Sequence, residues 1–253
     1  MRHILLSALM ILLLGGCAHS PPPEIGRAAA AHVLIFSHTT GYRRESIEPG
    51  VAAIRSIAER QGLAVTASED PAVFSAAGLT GVAAIVLLSN TTDPKRPESE
   101  WLTGERRQAL QDFVHRGGGV LAVHAAADSH YGWPWYGRMI GGRFERHPSG
   151  TPRGHVSILD PDHPSTRALP RQAGRIDEWY YFQDYDPTSR LLVMLDPASI
   201  GEKDVNPNPV SWARSFEGGR VFYTAMGHTS QSYSEPFFLE HLAGGLRWVL
   251  GRD

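Results

Sequence analysis

Apolar residues recur along the chain in two alternating rhythms. Val33-Leu34-Ile35-Phe36 is an unbroken apolar run, ended by the polar loop Ser37-His38-Thr39-Thr40-Gly41; Ile47, Val51, Ile54 and Ile57-Ala58 then recur at helical spacing until Gly62. The first run predicts a buried strand and the second a helix. Leu63-Ala64-Val65-Thr66 predicts a second strand, and Val82 through Leu88 a third, apolar enough to be covered on both faces. Leu110, Phe113 and Val114 mark the next helix up to Gly117, with Thr103 placed to cap it and Arg106 where a capping box carries Glu or Gln. Gly117-Gly118-Gly119 then turns the chain into the apolar run Val120 to Val123, a fourth strand with His124 at its exit.

Strand and helix alternating in this way predict an α/β fold with a doubly wound, mostly parallel sheet. After His124 the texture changes. His155 to Leu159, Arg175 to Phe182, Leu191 to Leu195, Pro209 to Phe216 and Arg220 to Ala225 are short runs broken by Asp-Pro, Gly-Gly and Asn-Pro, which predicts an antiparallel C-terminal extension. Phe238, Leu242, Leu246 and Val249 predict a closing helix over Glu235–Leu250. With no internal repeat and no second boundary, residues 32–253 read as one domain.

The first residues follow a different pattern. A basic start, an apolar run from Ile4 to Leu14 and small residues up to Cys17 predict a signal peptide over residues 1–17. Leu14-Gly15-Gly16-Cys17 resembles a bacterial lipoprotein box, with Cys17 as the lipidated residue. Residues 18–31, carrying Pro21-Pro22-Pro23, predict a flexible tether. Ala18 after the cysteine predicts the outer membrane, on its periplasmic side or at the surface. Cys17 is the one cysteine, so neither an intrachain disulfide nor a thiol nucleophile is available to the domain. A net charge of -2 without a Lys/Arg cluster argues against a nucleic-acid partner.

Polar residues gather at the predicted strand ends: His38 with Tyr42, Arg43 and Arg44; His124 with Asp128, His130 and Tyr131; Asp177-Glu178-Trp179-Tyr180; and Gly227-His228-Thr229. Loops leaving the carboxyl ends of parallel strands converge, so these segments are expected in one pocket. His124, Glu178 and His228 are the candidate catalytic groups. His38, His124 and His228 are candidate ligands of one divalent ion, zinc- or manganese-like; no His-Glu-x-x-His motif is present and no nucleotide cofactor is expected. His38, Tyr42, Arg43, Asp128, Trp133, Trp135, Tyr136 and Tyr180 are candidate substrate contacts, because aromatic faces beside carboxylates suit sugar rings. The competing reading is a non-catalytic carbohydrate-binding lipoprotein, with scattered histidines beside an open aromatic platform.

Five motifs in order then give the chain a resemblance. Ser37 to Arg43, Gly117 to Asp128, Trp133 to Tyr136, Asp177 to Tyr180 and Tyr223 to Thr229 resemble the ThuA-like (trehalose-utilisation) family, which has the class I glutamine amidotransferase-like fold. Arg44 departs from the pattern, since relatives often carry His there. The resemblance implies that His124 occupies the elbow where amidotransferases carry their nucleophilic Cys, and that Gly227-His228-Thr229 is the partner strand end. Imidazole does not form the acyl-enzyme that glutamine hydrolysis needs, so that reaction is not expected. Implied instead is sugar catabolism, with a disaccharide or its 3-keto derivative as substrate and glycosidic cleavage or a neighbouring step as reaction.

Overall fold

The computed structural model describes residues 31–203 and 208–252. The expected signal peptide over 1–17 with Cys17, and the tether up to residue 30, lie outside the described residues. In chain order the first half comprises β1 (His32–Phe36), α1 (Ile47–Arg60), β2 (Ala64–Ser68), β3 (Val82–Leu88), α2 (Glu105–His115), β4 (Gly119–Val123) and α3 (Pro134–Ile140). The second half comprises β5 (Arg143–Arg146), β6 (Arg153–Ile158), β7 (Gln172–Ile176), β8 (Tyr181–Gln183), β9 (Arg190–Asp196), β10 (Asn208–Phe216), β11 (Gly219–Thr224) and α4 (Pro236–Val249).

Nine of the strands form one sheet in the order β2-β1-β3-β4-β11-β10-β9-β6-β7, and β5 pairs with β8 in a small separate ribbon. The half from β2 to β11 is parallel, and every pairing from β11 to β7 is antiparallel. Right-handed crossovers carry β1 to β2 in one direction along the sheet and β3 to β4 in the other, which sets α1 and α2 on opposite faces. Both faces of the parallel half are therefore covered, and Val33 to Phe36, Ala84 to Leu88 and Val120 to Val123 are all buried. No described helix is long and apolar enough to cross a membrane.

Three expectations need correction. Arg220–Ala225 belongs to the parallel half as well, since β11 lies parallel beside β4 and only its other edge pairs antiparallel with β10. Arg175–Phe182 is not one strand: β7 ends at Ile176, β8 begins at Tyr181 in the other sheet, and Asp177 to Tyr180 cross between them. Thr103 does not cap α2 with its side chain; the N-cap is Gly104 at φ +51°. Gly119, by contrast, is required where it stands, because a Cβ there would come 2.4 Å from the Val249 carbonyl oxygen at the end of α4.

Candidate functional site

β4 and β11 run side by side and end together, with Val123 opposite Thr224. The residues that follow each strand, His124 to Ala127 and Ala225 to His228, are thereby held against each other. His124 takes the left-handed conformation at φ +52°, a costly one for a side chain with a Cβ, and begins a short 3-10 turn. That sharp exit is the elbow geometry expected from the sequence, and it directs the imidazole into the junction of the two strand ends.

The His124 ring is wholly buried, and Tyr180 lies against it with centroids 4.5 Å apart. Nδ1–H donates to the Ala225 carbonyl oxygen at 2.6 Å, because a carbonyl can only accept. This fixes the tautomer and leaves a lone pair on Nε2. Nε2 lies 3.4 Å from Glu178 Oε2 and 3.3 Å from His228 Nδ1, and His228 Nδ1 lies 3.2 Å from the same Glu178 oxygen. Burial and the Arg44 charge lower the His124 pKa to about 4, so it is neutral at neutral pH. Burial alone would raise the Glu178 carboxyl, but the hydrogen bond it accepts from His228 Nδ1–H opposes burial, and the group lies well below the usual carboxylate range.

Three donor atoms thus converge on one point, and together they are a set that could hold a metal ion. A tetrahedral ion with bonds of about 2.0–2.1 Å needs ligand atoms roughly 3.3–3.4 Å apart. The three separations here have that length, and a neutral imidazole lone pair facing an ionised carboxylate without a proton between them has its electrostatic complement in a cation.

Asp177, one residue before Glu178, organises the cluster without joining it. Its buried carboxylate accepts from the backbone N–H of Gly227 at 2.9 Å, of His228 at 3.0 Å and of Glu178 at 3.0 Å, and Arg175 Nη2 lies 3.7 Å away. One side chain therefore ties the loop that carries Glu178 to the loop that carries His228. Gly227 accommodates this at φ +109°, where a Cβ would come 2.9 Å from the Tyr233 hydroxyl.

Two further residues meet the cluster that sequence reasoning did not assign to it. Arg44 is buried, donates from Nη2 to the Tyr180 hydroxyl at 2.6 Å, and has Glu178 Oε2 3.5 Å from the same nitrogen. His147 places Nε2 3.3 Å from Glu178 Oε1, with Nδ1–H given to the Pro148 carbonyl oxygen at 2.8 Å. Nothing in the position of His147 along the sequence ties it to Glu178. Arg44 follows a conspicuous Arg43, and only the structure distinguishes them.

The expected substrate contacts divide into three groups. Tyr42, Tyr180 and Asp128 lie around the cluster: Tyr42 is exposed with its ring 5.4 Å from the Arg44 guanidinium, Tyr180 is a buried wall, and Asp128 accepts from the Tyr131 hydroxyl at 2.6 Å. Burial pushes the Asp128 pKa up to about 6 against that hydrogen bond, and the charges of Arg44, Glu178 and His147 all act on it. Arg43 points elsewhere, paired with Glu48 at 2.7 Å and Glu69 at 2.9 Å. His38 does not join His124 and His228; its ring packs against Trp101 and Phe36, and burial lowers its pKa.

Trp133, Trp135 and Tyr136 form no open platform. Trp133 and Trp135 stack with centroids 5.0 Å apart, Trp135 Nε1–H donates to Glu217 at 2.8 Å, and Arg107 covers Trp133. The Tyr136 hydroxyl donates to the Ala126 carbonyl oxygen at 2.9 Å. All three are buried, joining α3 to α2 and to the β10–β11 hairpin. The aromatic platform of a binding-only protein is therefore missing from this part of the described residues, whereas His124, Glu178 and His228 do converge.

Among proteins with curated descriptions, none matches the sequence. Among solved structures, a ThuA-like protein of Bacteroides uniformis superposes with a TM-score of 0.73 at 22% identity, covering 92% of this chain and 97% of that one. A ThuA-like protein of Parabacteroides merdae gives 0.69 at 17% identity over 87% and 90% of the two chains. Agd3, a carbohydrate deacetylase, gives 0.60 at 13% identity, with 88% of this chain matching only 33% of that one. At these identities the likenesses establish the fold. The ThuA family model, described as trehalose utilisation, matches residues 32–249, and the chain belongs to that family.

Proposed function

We propose that this is a cell-envelope enzyme of carbohydrate breakdown, acting on a disaccharide or its 3-keto form, in which His124, Glu178 and His228 hold one divalent ion. The observation that carries the reading is the convergence of a tautomerically fixed imidazole, an ionised carboxylate and a second imidazole at separations of 3.2–3.4 Å. The trehalose-utilisation family supplies the carbohydrate context. When bound, the ion supplies a Lewis acid to a substrate oxygen.

The chain's own groups fit an eliminative cleavage. A ketone at C3 of a sugar acidifies the proton at C2. His147 Nε2, its other nitrogen committed to Pro148, receives that proton and in that state donates to Glu178 Oε1. The electron pair left at C2 forms the C1–C2 double bond as the C1–O bond breaks, and the departing oxygen takes a proton from Asp128. A carboxyl group with a pKa of about 6 is suited to that exchange near neutral pH. The lipoprotein box at Cys17 supports an envelope location and attachment to the membrane through a lipid.

The test is turnover of 3-keto-disaccharides, beside their parent disaccharides, by protein loaded with zinc or manganese. Release of the leaving sugar by wild type and its loss in His124→Ala and Glu178→Gln are expected. Equal turnover by these variants, or none by wild type on either substrate set, would contradict the reading.

A further inference from the structure

A cleft of about 310 Å³ opens beside the cluster, lined by Tyr42, Arg44, Thr151, His228, Thr229 and Gln231, and bordered also by the exposed Glu45. Hydroxyls, an amide and one exposed aromatic ring suit a single sugar unit, and the volume is at the small end for ligand pockets. What does not suit a neutral sugar is Arg44. Its side chain is more than nine-tenths buried, yet among the described residues only Nη2 has acceptors; Nε and Nη1 have none.

Guanidinium donors shut away from water without an acceptor carry an unrecovered desolvation cost. Glu178, the only carboxylate among the described residues within ion-pairing distance of Arg44, already faces His124, His228 and His147. Tyr42 covers the guanidinium, and its ring is 69% exposed, so it can turn aside without disturbing the core. An anionic group entering under Tyr42 would meet the free guanidinium nitrogens beside His228.

We propose that this cleft binds a sugar unit carrying an anionic substituent, a carboxylate or a phosphate, held by Arg44 beneath Tyr42. The proposal rests on the reading of the adjoining cluster as a sugar-processing site, and it names the charge of the sugar that site takes.

The experiment is calorimetric binding of methyl glucoside, methyl glucuronide and glucose 6-phosphate to the protein, metal-free and zinc-loaded, with metal content measured on the same samples. Charge-assisted hydrogen bonds predict binding at least about tenfold tighter for one of the two anionic sugars than for methyl glucoside. Which anion is favoured identifies the substituent. Arg44→Gln should abolish the preference, and Arg44→Lys should retain part of it, with melting temperatures confirming that both fold. Equal binding of neutral and anionic sugars, or a preference that survives in folded Arg44→Gln, overturns the proposal. A preference without stoichiometric metal would leave Arg44 in this role while removing the metal reading.

Discussion

His124 Nε2 and His228 Nδ1 lie 3.3 Å apart although 104 residues separate them in the chain. The approach follows from the parallel pairing of β4 with β11, whose ends carry the two residues, and from the Ala225 carbonyl that orients the first ring. Both backbone placement and ring orientation are therefore set by the scaffold before any ligand arrives, which is what a preorganised site requires.

Asp177 should matter to stability as much as to the site. Its carboxylate accepts three backbone N–H groups in the core, and Asp177→Asn would turn a donor toward groups that are already donors. A loss of about 2–3 kcal/mol is expected, which for a domain of this size lowers the melting temperature by roughly 5–10 °C. Thermal melting by circular dichroism checks it. An unchanged melting temperature would mean that Asp177 does not tie the two loops.

Trp135 separates packing from binding. Its indole is buried against Trp133 and Phe216 and donates to Glu217, so Trp135→Ala should cost about 3–5 kcal/mol. Trp135→Phe should keep most of that stability and leave sugar affinity as in wild type. A folded Trp135→Phe with sharply weakened sugar binding would restore it to the substrate site.

Acid should destabilise the protein through buried histidines that are not part of the cluster. Burial lowers the His241 pKa to about 3, and its ring lies between the Ser165 carbonyl and the Ser211 hydroxyl. His130 is lowered to about 3 by burial, then by the Arg107 charge. Each is neutral when folded but protonates near 6.5 when unfolded, so the unfolded chain gains protons first as pH falls. Their stabilisation is complete above about pH 6.5 and is lost between there and pH 3, each with a slope approaching 1.4 kcal/mol per pH unit. Asp128, with its raised pKa, acts in the opposite sense, so the decisive comparison is between variants. The fall in urea midpoint from pH 7.5 to 5 should be smaller in His241→Gln than in wild type; identical falls would count against it.

The proposed envelope location is tested at Cys17. If it is lipidated, Cys17→Ser should move the protein from the membrane pellet to the soluble fraction of the cells that make it, with the domain equally stable. Wild type in the soluble fraction, or a variant that stays in the pellet, would remove the anchor from the account.

The scaffold was legible in the sequence because uninterrupted apolar runs such as Val82 to Leu88 and Val120 to Val123 have one cheap arrangement, a strand covered on both sides. The meeting of His124 with His228 was legible for a related reason, since β4 and β11 are adjacent parallel strands that end together, whereas Glu178 reaches them from the crossing between β7 and β8, which that reasoning does not supply. Side-chain depth was not. Trp133-Pro134-Trp135-Tyr136 carries the same residue types whether it lines a cleft or joins helices, and its interior role depends on Glu217, Arg107 and Phe216, distant in sequence. Arg43 and Arg44 point opposite ways from adjacent positions, toward surface carboxylates and toward the cluster, and only three-dimensional partners decide between them. His38 follows a strand as His124 does, but β1 lies beyond β3 from β4, and its ring meets Trp101 instead.

The most direct test of the central claim is the metal content of the purified protein after equilibration with zinc or manganese and removal of unbound ion. About one equivalent should remain on wild type and well under a tenth on His124→Ala or Glu178→Gln, since each removes one of three ligands. Wild type without stoichiometric metal, or variants that retain as much as wild type, would show that His124, Glu178 and His228 do not form a metal centre.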